Sequence, residues 1–190
     1  MPVVIKPKLL LHACCAACSI HVAEMLKKEY EVTLHFHNPQ ICPQEEYEKR
    51  ILEVYRVGEM LGLEVIEEIS NTHSDWLKAV KGLENEPEGG KRCAKCFEFN
   101  LEATASFAKY YGFDAFATTL TVSPHKNATL INEIGRRFGK KYGIKFIEAD
   151  FKKNDGFLKS CEKCNEHDIY RQDYCGCEFS LNKSIASPKE

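Results

Sequence analysis

Lys8-Leu-Leu-Leu-His-Ala-Cys-Cys-Ala-Ala-Cys-Ser19, continued by Ile20-His-Val-Ala-Glu-Met-Leu26, carries the signal that decides the fold. Leu9 to Leu11, with Val3-Val4-Ile5 ahead of them, predict a short buried strand. Ser19 then opens a helical stretch through Ile20, Val22, Ala23, Met25 and Leu26, which leaves Cys14 to Cys18 as the loop between. Val32, Leu34 and Phe36 alternate as a second strand that stops at Asn38-Pro39. Pro43 starts a helix bearing Tyr47, Ile51, Val54, Tyr55, Val57, Met60 and Leu61.

The alternation continues. A third strand is predicted from Leu63 to Ile69, a short helix from Asp75 to Val80, and a flexible Gly- and Pro-bearing loop from Gly82 to Arg92. Phe97, Leu101, Ala105 and Ala108 stripe a helix from Cys93 to Tyr111, and Phe113 to Leu120 reads as the fourth strand. Leu130, Ile131, Ile134 and Phe138 mark the next helix before a fifth strand at Ile144 to Ala149. This order predicts an α/β fold, a doubly wound and mostly parallel sheet over residues 1–150. A cysteine-rich C-terminal segment, 151–190, packs back on it as part of a single domain. Ligands of such sheets bind beyond the carboxyl ends of the strands, where the strand order reverses. The loops at Cys14 to Cys18, Asn38 to Pro43 and Thr118 to Asn127 all follow strands, so one edge collects them.

The chain has 190 residues, is 44% hydrophobic and carries a net charge of -2, which excludes both disorder and a polycation that coats nucleic acid. Its ten cysteines are the anomaly, since a domain of this size needs no disulfide staples. Lys6 and Lys8 ahead of an apolar stretch and Ala16-Ala17-Cys18 imitate a lipoprotein signal. His12 interrupts that run, however, and strand, loop and helix follow it. A cytoplasmic, reducing location is therefore expected, where clustered cysteines serve metal binding or redox chemistry. No membrane span or stable protein partner is read from the sequence.

Cys14-Cys15-x-x-Cys18 sits where a strand gives way to a helix, whose amides and dipole favour thiolates. Cys93-x-x-Cys96 opens another helix and favours joint ligation of one ion or cluster. Cys175-Gly176-Cys177 suits either a reversible dithiol or a ligand pair, because glycine permits the tight backbone between them. Cys161-x-x-Cys164 and Cys42 read equally as packed thiols or as a second metal site. His12, in a strand, reads as a core histidine, and Tyr110, Tyr111 and Trp76 as core aromatics before base-stacking ones. Lys91 and Arg92 flank the Gly loop and are candidates to close on a flipped-out nucleotide.

Six ordered motifs resemble the small, cobalamin-independent epoxyqueuosine reductase family, QueH. They are Leu-Leu-His-Ala-Cys-Cys-Ala-Ala-Cys (10–18), Asn-Pro-Gln-Ile-Cys-Pro with Glu-Glu-Tyr (38–47), Arg-Cys-Ala-Lys-Cys-Phe (92–97), Phe-Ala-Thr-Thr-Leu-Thr-Val-Ser-Pro-His-Lys-Asn (116–127), Asp-Phe-Lys-Lys (150–153) and Tyr-Arg-Gln-Asp-Tyr-Cys-Gly-Cys-Glu-Phe-Ser (170–180). The resemblance implies a fold of the HUP, or adenine nucleotide alpha hydrolase-like, class and an oxidoreductase that converts epoxyqueuosine in a tRNA anticodon loop to queuosine. It implies a 4Fe-4S cluster on Cys14, Cys15, Cys93 and Cys96, a redox-active pair at Cys175 and Cys177, and a second iron for which Cys18, with Cys175 or Cys177, is the candidate. An external electron donor is implied as well. Cys42 stands where the family usually has a His or another residue, and Cys161 and Cys164 lie where it has no cysteines. These three are candidates for an extra metal site.

Epoxide-to-alkene reduction consumes two electrons and two protons and releases water. Candidate proton donors are His125, at the end of the fourth strand, and Tyr174 or Asp173 beside the cysteine pair. For the tRNA phosphates, Arg136, Arg137, Lys140, Lys141, Lys145, Lys152 and Lys153 fall within eighteen residues against only Glu148 and Asp150. Two rival classes are a tRNA sulfur-transfer enzyme of a related fold and a zinc-stabilised nucleic-acid-binding module. The absence of glycine from Cys14 to Cys18 counts against a phosphate-cradling loop and ATP chemistry.

Overall fold

A computed structural model describes residues 5–181; Val3 and Val4 lie outside them. Leu9, Leu10 and Leu11 do form the central strand, β1 (Lys8–His12), but Ile5 is exposed and outside it, cut off by Pro7. β1 pairs in parallel with β2 (Glu31–Phe36) on one side and β4 (Ala115–Thr118) on the other. β3 (Glu64–Glu67) and β5 (Lys145–Phe146) complete a fully parallel sheet of order β3-β2-β1-β4-β5. The strand order reverses between β1 and β4, so the loops after these two strands flank the crevice.

Period-two alternation in β1 divides the core. Leu9 and Leu11 pack with Ile20, Ala23, Val54 and Val57 from α1 (Ala16–Leu26) and α2 (Gln44–Leu61). Leu10 faces Leu101, Ala105, Ile131 and Ile134 from α4 (Lys91–Tyr110) and α5 (Ala128–Tyr142). The short α3 (His73–Ala79) starts with a capping box between Thr72 and Asp75. In the C-terminal segment, α6 (Gly156–Glu166) packs on α1, and Phe151, Cys164 and Ile169 join the β1–α1–α2 core. Among the described residues no helix is long and apolar enough to cross a membrane.

Several boundaries differ from expectation: β3 and β5 are shorter than Leu63–Ile69 and Ile144–Ala149, and α3 and α4 begin two residues earlier, at His73 and Lys91. Two of the differences bear on the site. α1 begins three residues before Ser19, at Ala16, because the Cys15 thiol caps it by accepting from the Cys18 amide at 3.3 Å. Ser19 instead donates back to the Cys15 carbonyl at 2.6 Å. The fourth strand ends at Thr118, whose hydroxyl accepts from the Leu120 amide and turns the chain into one 3-10 turn, Thr119–Val122.

Candidate active site

The parallel register delivers the loops after β1, β2 and β4 to one edge, where they are tied together. The Asn38 side chain donates to the Ala13 carbonyl at 2.8 Å, and the Cys14 amide donates to Thr119 Oγ1 at 3.3 Å. Cys14, Cys15 and Cys18 thereby converge, with their three sulfurs within 4.8 Å of one another. Cys14 sulfur faces Cys15 sulfur at 3.9 Å and Thr119 Oγ1 at 3.5 Å.

The trio shares charge unevenly. Hydrogen bonds from Cys15 and Cys18 hold the Cys14 thiol well below its ordinary range, and the Lys126 ammonium adds to this. Beside that thiolate, Cys15 is pushed up to about 12 and Cys18 also rises. Lys126, from the loop after β4, is surrounded by Cys175, Cys14, Cys18 and Cys15, which hold its proton firmly.

A second group of thiols lies next door. Cys93 and Cys96, in the first two turns of α4, line a small cavity with Cys175, Cys177, Trp76 and Lys126. Burial pushes Cys93, Cys96 and Cys175 up, and for Cys96 the neighbouring Cys175, Cys177 and Cys93 add to it. A larger cavity of about 670 Å³ opens beside this one, lined by Cys18, His125, Cys161, Arg171, Asp173 and Tyr174 among others. His125, Lys126 and Cys175 line both, so the substrate-sized cleft and the thiol cavity share a wall.

The Cys175-Gly176-Cys177 turn is held from below. Arg50, buried in α2, donates to the Cys175 carbonyl at 3.0 Å, to the Tyr174 carbonyl at 3.2 Å and to Glu46 at 2.6 Å. Gly176 has a φ of +126°, and a Cβ there would meet the Arg50 guanidinium at 2.9 Å, so only glycine fits. The Cys42 amide donates to the Gly176 carbonyl at 2.9 Å, and Cys177 packs with Trp76 and Val80.

Behind the thiols runs a buried polar network. Asn100 donates to Gln40 Oε1 and to the Cys96 carbonyl, while Gln40 donates to Asn38. His37 Nδ1 donates to Asn100 Oδ1 and its Nε2 accepts from Asn71. His12 donates from Nε2 to the His37 carbonyl and accepts at Nδ1 from Thr118. Burial lowers His12 and His37 to about 4, so both are neutral structural groups.

Several expectations need correction. Arg92 does not reach toward a nucleotide: it is buried, donating to the carbonyls of Leu83, Glu84 and Glu86, and braces the Gly loop from inside. Tyr110 and Tyr111 are exposed, not core, whereas Trp76 is fully buried. Tyr174 spends its hydroxyl proton on the Cys42 carbonyl at 2.6 Å and is pushed up to about 12 by burial. Cys42 is not grouped with the α6 cysteines: Cys161 and the core residue Cys164 both line the large cavity, while Cys42 meets His73 and Glu178. In the basic run, Arg136 pairs with Glu148, Arg137 with Glu98, Lys141 with Glu102 and Lys152 with Asp150. Lys140 and Lys153 are exposed.

The donor set fits a sulfur-ligated metal group. Buried thiols that are neutral on their own become thiolates beside a cation, and clustered thiolates select iron-sulfur clusters or zinc. The model of the epoxyqueuosine reductase QueH family matches residues 9–183. This chain belongs to the QueH family. A QueH from Streptococcus pyogenes serotype M1 is 40% identical over 181 residues, covering 93% of this chain and 71% of that protein. The Thermotoga maritima QueH is 39% identical over 178 residues, covering 90% and 89%. Among solved structures, the U34-tRNA thiolase NcsA from Methanococcus maripaludis, with its [4Fe-4S] cluster, superposes with a TM-score of 0.58 at 14% identity. The match covers 97% of this chain and 69% of that one, a likeness of fold. A predicted subunit of tRNA methyltransferase from Methanocaldococcus jannaschii matches at 0.56.

Lys126, Arg50, Gln40 and Asn100 were not singled out from the sequence. Asn100 had a legible signal, a polar side chain on the apolar stripe of Phe97, Leu101 and Ala108. Lys126 had another, its place in a loop that the topology sends to this edge.

Proposed function

We propose that this chain reduces epoxyqueuosine in tRNA to queuosine, with Cys175 and Cys177 as the reacting dithiol. The observation that carries the reading is the shared wall: Cys175 and Lys126 face both the thiol cavity and the cleft that holds Cys18 and His125. Cys14, Cys15, Cys93 and Cys96 would hold a 4Fe-4S cluster, and Cys18, with Cys175 or Cys177, a second iron. Bound there, these groups supply single electrons and a Lewis acid for the epoxide oxygen.

The chain's own residues carry the rest. Oxidation of the Cys175 and Cys177 thiols to a disulfide releases two electrons and two protons, which balances loss of the epoxide oxygen as water and formation of the alkene. An external donor then restores the dithiol. Burial keeps Cys175 protonated, so it enters the reaction with the hydrogen it must give up. Lys126 holds its charge beside the sulfurs and favours the transient thiolate. His125, exposed at the cleft wall, is the proton donor to the departing oxygen. Arg171 lines the cleft, and Lys152 donates to the Lys126 carbonyl at its margin. With Arg136, Arg137, Lys140, Lys141 and Lys153 they give the tRNA phosphates a cationic approach. The surface ion pairs among these residues are worth under about 1 kcal/mol and yield to phosphate. A reducing, cytoplasmic setting suits ten free thiols.

The test is nucleoside mass spectrometry on epoxyqueuosine-bearing tRNA after incubation with anaerobically purified protein and a chemical reductant. Queuosine is expected. Cys175→Ala is expected to abolish turnover with the cluster's sulfide retained, and Cys93→Ala to lose both iron and sulfide. Epoxyqueuosine left intact by iron-loaded protein overturns the proposal.

A further inference from the structure

Cys42, His73 and Glu178 come from three distant segments: the loop after β2, the first residue of α3, and the position following Cys177. Their ligand atoms lie within 4.8 Å of one another, in a half-buried patch separate from the Cys14, Cys15 and Cys18 trio. The hydrogen bonds of His73 place one positive species, a proton or a metal ion, between its ring and Glu178. Its Nδ1 is 2.8 Å from the Pro39 carbonyl, which can only accept, so Nδ1 carries the hydrogen. In the neutral ring, Nε2 is then a bare lone pair, and it points at Glu178 Oε2 from 2.8 Å. Two acceptors at that distance repel unless a cation sits between them. A proton would satisfy these two alone, but the Cys42 sulfur lies within 4.8 Å of both, a soft donor that a proton does not need and a metal does.

We propose that Cys42, His73 and Glu178 bind one divalent ion of the zinc class. One sulfur, one imidazole nitrogen and one carboxylate oxygen are a donor set for a borderline-soft ion, and three protein ligands leave a fourth, water-filled position. The bond from Nδ1 to the Pro39 carbonyl is the outer contact that orients metal-bound imidazoles elsewhere. Zinc bond lengths place tetrahedral N and O ligands about 3.3 Å apart, and S from either about 3.6 Å apart. The His73–Glu178 contact must therefore open by about 0.5 Å. Both side chains are about one-third exposed and free to make that adjustment.

The ion would staple the turn that carries Cys177 to the β2 loop and α3. Cys42 already donates its amide to Gly176, and the His73 ring lies 5.6 Å from that of Trp76, against which Cys177 packs. The site is thus a positioning device for the dithiol, chemically independent of any cluster.

The experiment uses the full chain purified without air, with its iron retained, dialysed against zinc and read by zinc X-ray absorption together with zinc, iron and sulfide analysis. One zinc per chain is expected, with one sulfur at about 2.3 Å and nitrogen or oxygen at about 2.0 to 2.2 Å. Cys42→Ser and Glu178→Gln are each expected to weaken zinc retention at least tenfold and leave iron and sulfide unchanged. No retained zinc, equal retention by the Cys42→Ser protein, or a shell with three or more sulfurs overturns the proposal. The readout is zinc and not turnover, so failure of the reductase reading does not alter it.

Discussion

Replacing Arg50 with Met probes how the cysteine turn is held. The guanidinium is 2% exposed and its partner Glu46 11%, so the pair sits in protein and not in water. The substitution matches the volume of the stem but removes three donors. Glu46 keeps only the Tyr170 hydroxyl, at 3.0 Å, and the carbonyls of Tyr174 and Cys175 lose their partner. Removing one member of a buried pair costs about 3–5 kcal/mol, because the other charge stays buried. At about 2–4 °C per kcal/mol for a chain of this length, Tm falls by roughly 6–20 °C. The assay is urea unfolding of metal-free, reduced protein, followed by fluorescence of the single tryptophan, Trp76, which packs beside Cys177 and Phe179. Arg50→Lys keeps the charge without the fork and should recover part of the loss. A double-mutant cycle with Glu46→Gln should show coupling of about 1–3 kcal/mol. If Arg50→Met costs under about 1 kcal/mol with an unchanged urea dependence, the clamp is not what holds this turn.

Other outcomes follow from the same contacts. His12 and His37 titrate near 4 in the folded chain but near 6.5 when unfolded, so the unfolded state binds more protons between those values. Stability is therefore full above about 6.5 and falls as pH drops toward 4, by on the order of 3 kcal/mol per histidine; a flat stability profile over that window would refute it. Lys126→Met removes the cation facing Cys14 and Cys175, so in metal-free protein the pH midpoint for alkylating these thiols should rise, and Lys126→Arg should restore it. Cys164→Ala, at a buried core position on α6, should cost about 1 kcal/mol and leave the iron content intact; iron loss would make Cys164 a ligand.

Local patterns made the sheet readable. Three leucines in a row, the alternation of Val32, Leu34 and Phe36, and a proline at the start of α2 each act through near neighbours, and the resulting strand order sends the cysteine loops to one edge. What escaped depends on partners far apart in the chain. Arg50 looks like a surface residue of an amphipathic helix until the carbonyls of Tyr174 and Cys175, more than 120 positions away, fold over it. Arg92 looked free for a ligand because its three acceptors are backbone carbonyls, which carry no mark in sequence. The start of α1 escapes the sequence pattern because a thiol, not a hydroxyl or carboxylate, caps it. Residue type groups Cys42 with Cys161 and Cys164, while space groups it with His73 and Glu178.

The central claim is that Cys175 and Cys177 deliver the electron pair to an epoxide on tRNA, and a single turnover tests it most directly. Protein fully reduced and then freed of reductant is mixed with epoxyqueuosine-bearing tRNA, and nucleosides and the Cys175–Cys177 peptide are read together by mass spectrometry. The account predicts about one queuosine per chain, formed in step with a Cys175–Cys177 disulfide. Queuosine formed while both thiols remain free, or formed equally well by the Cys175→Ala protein, would contradict it.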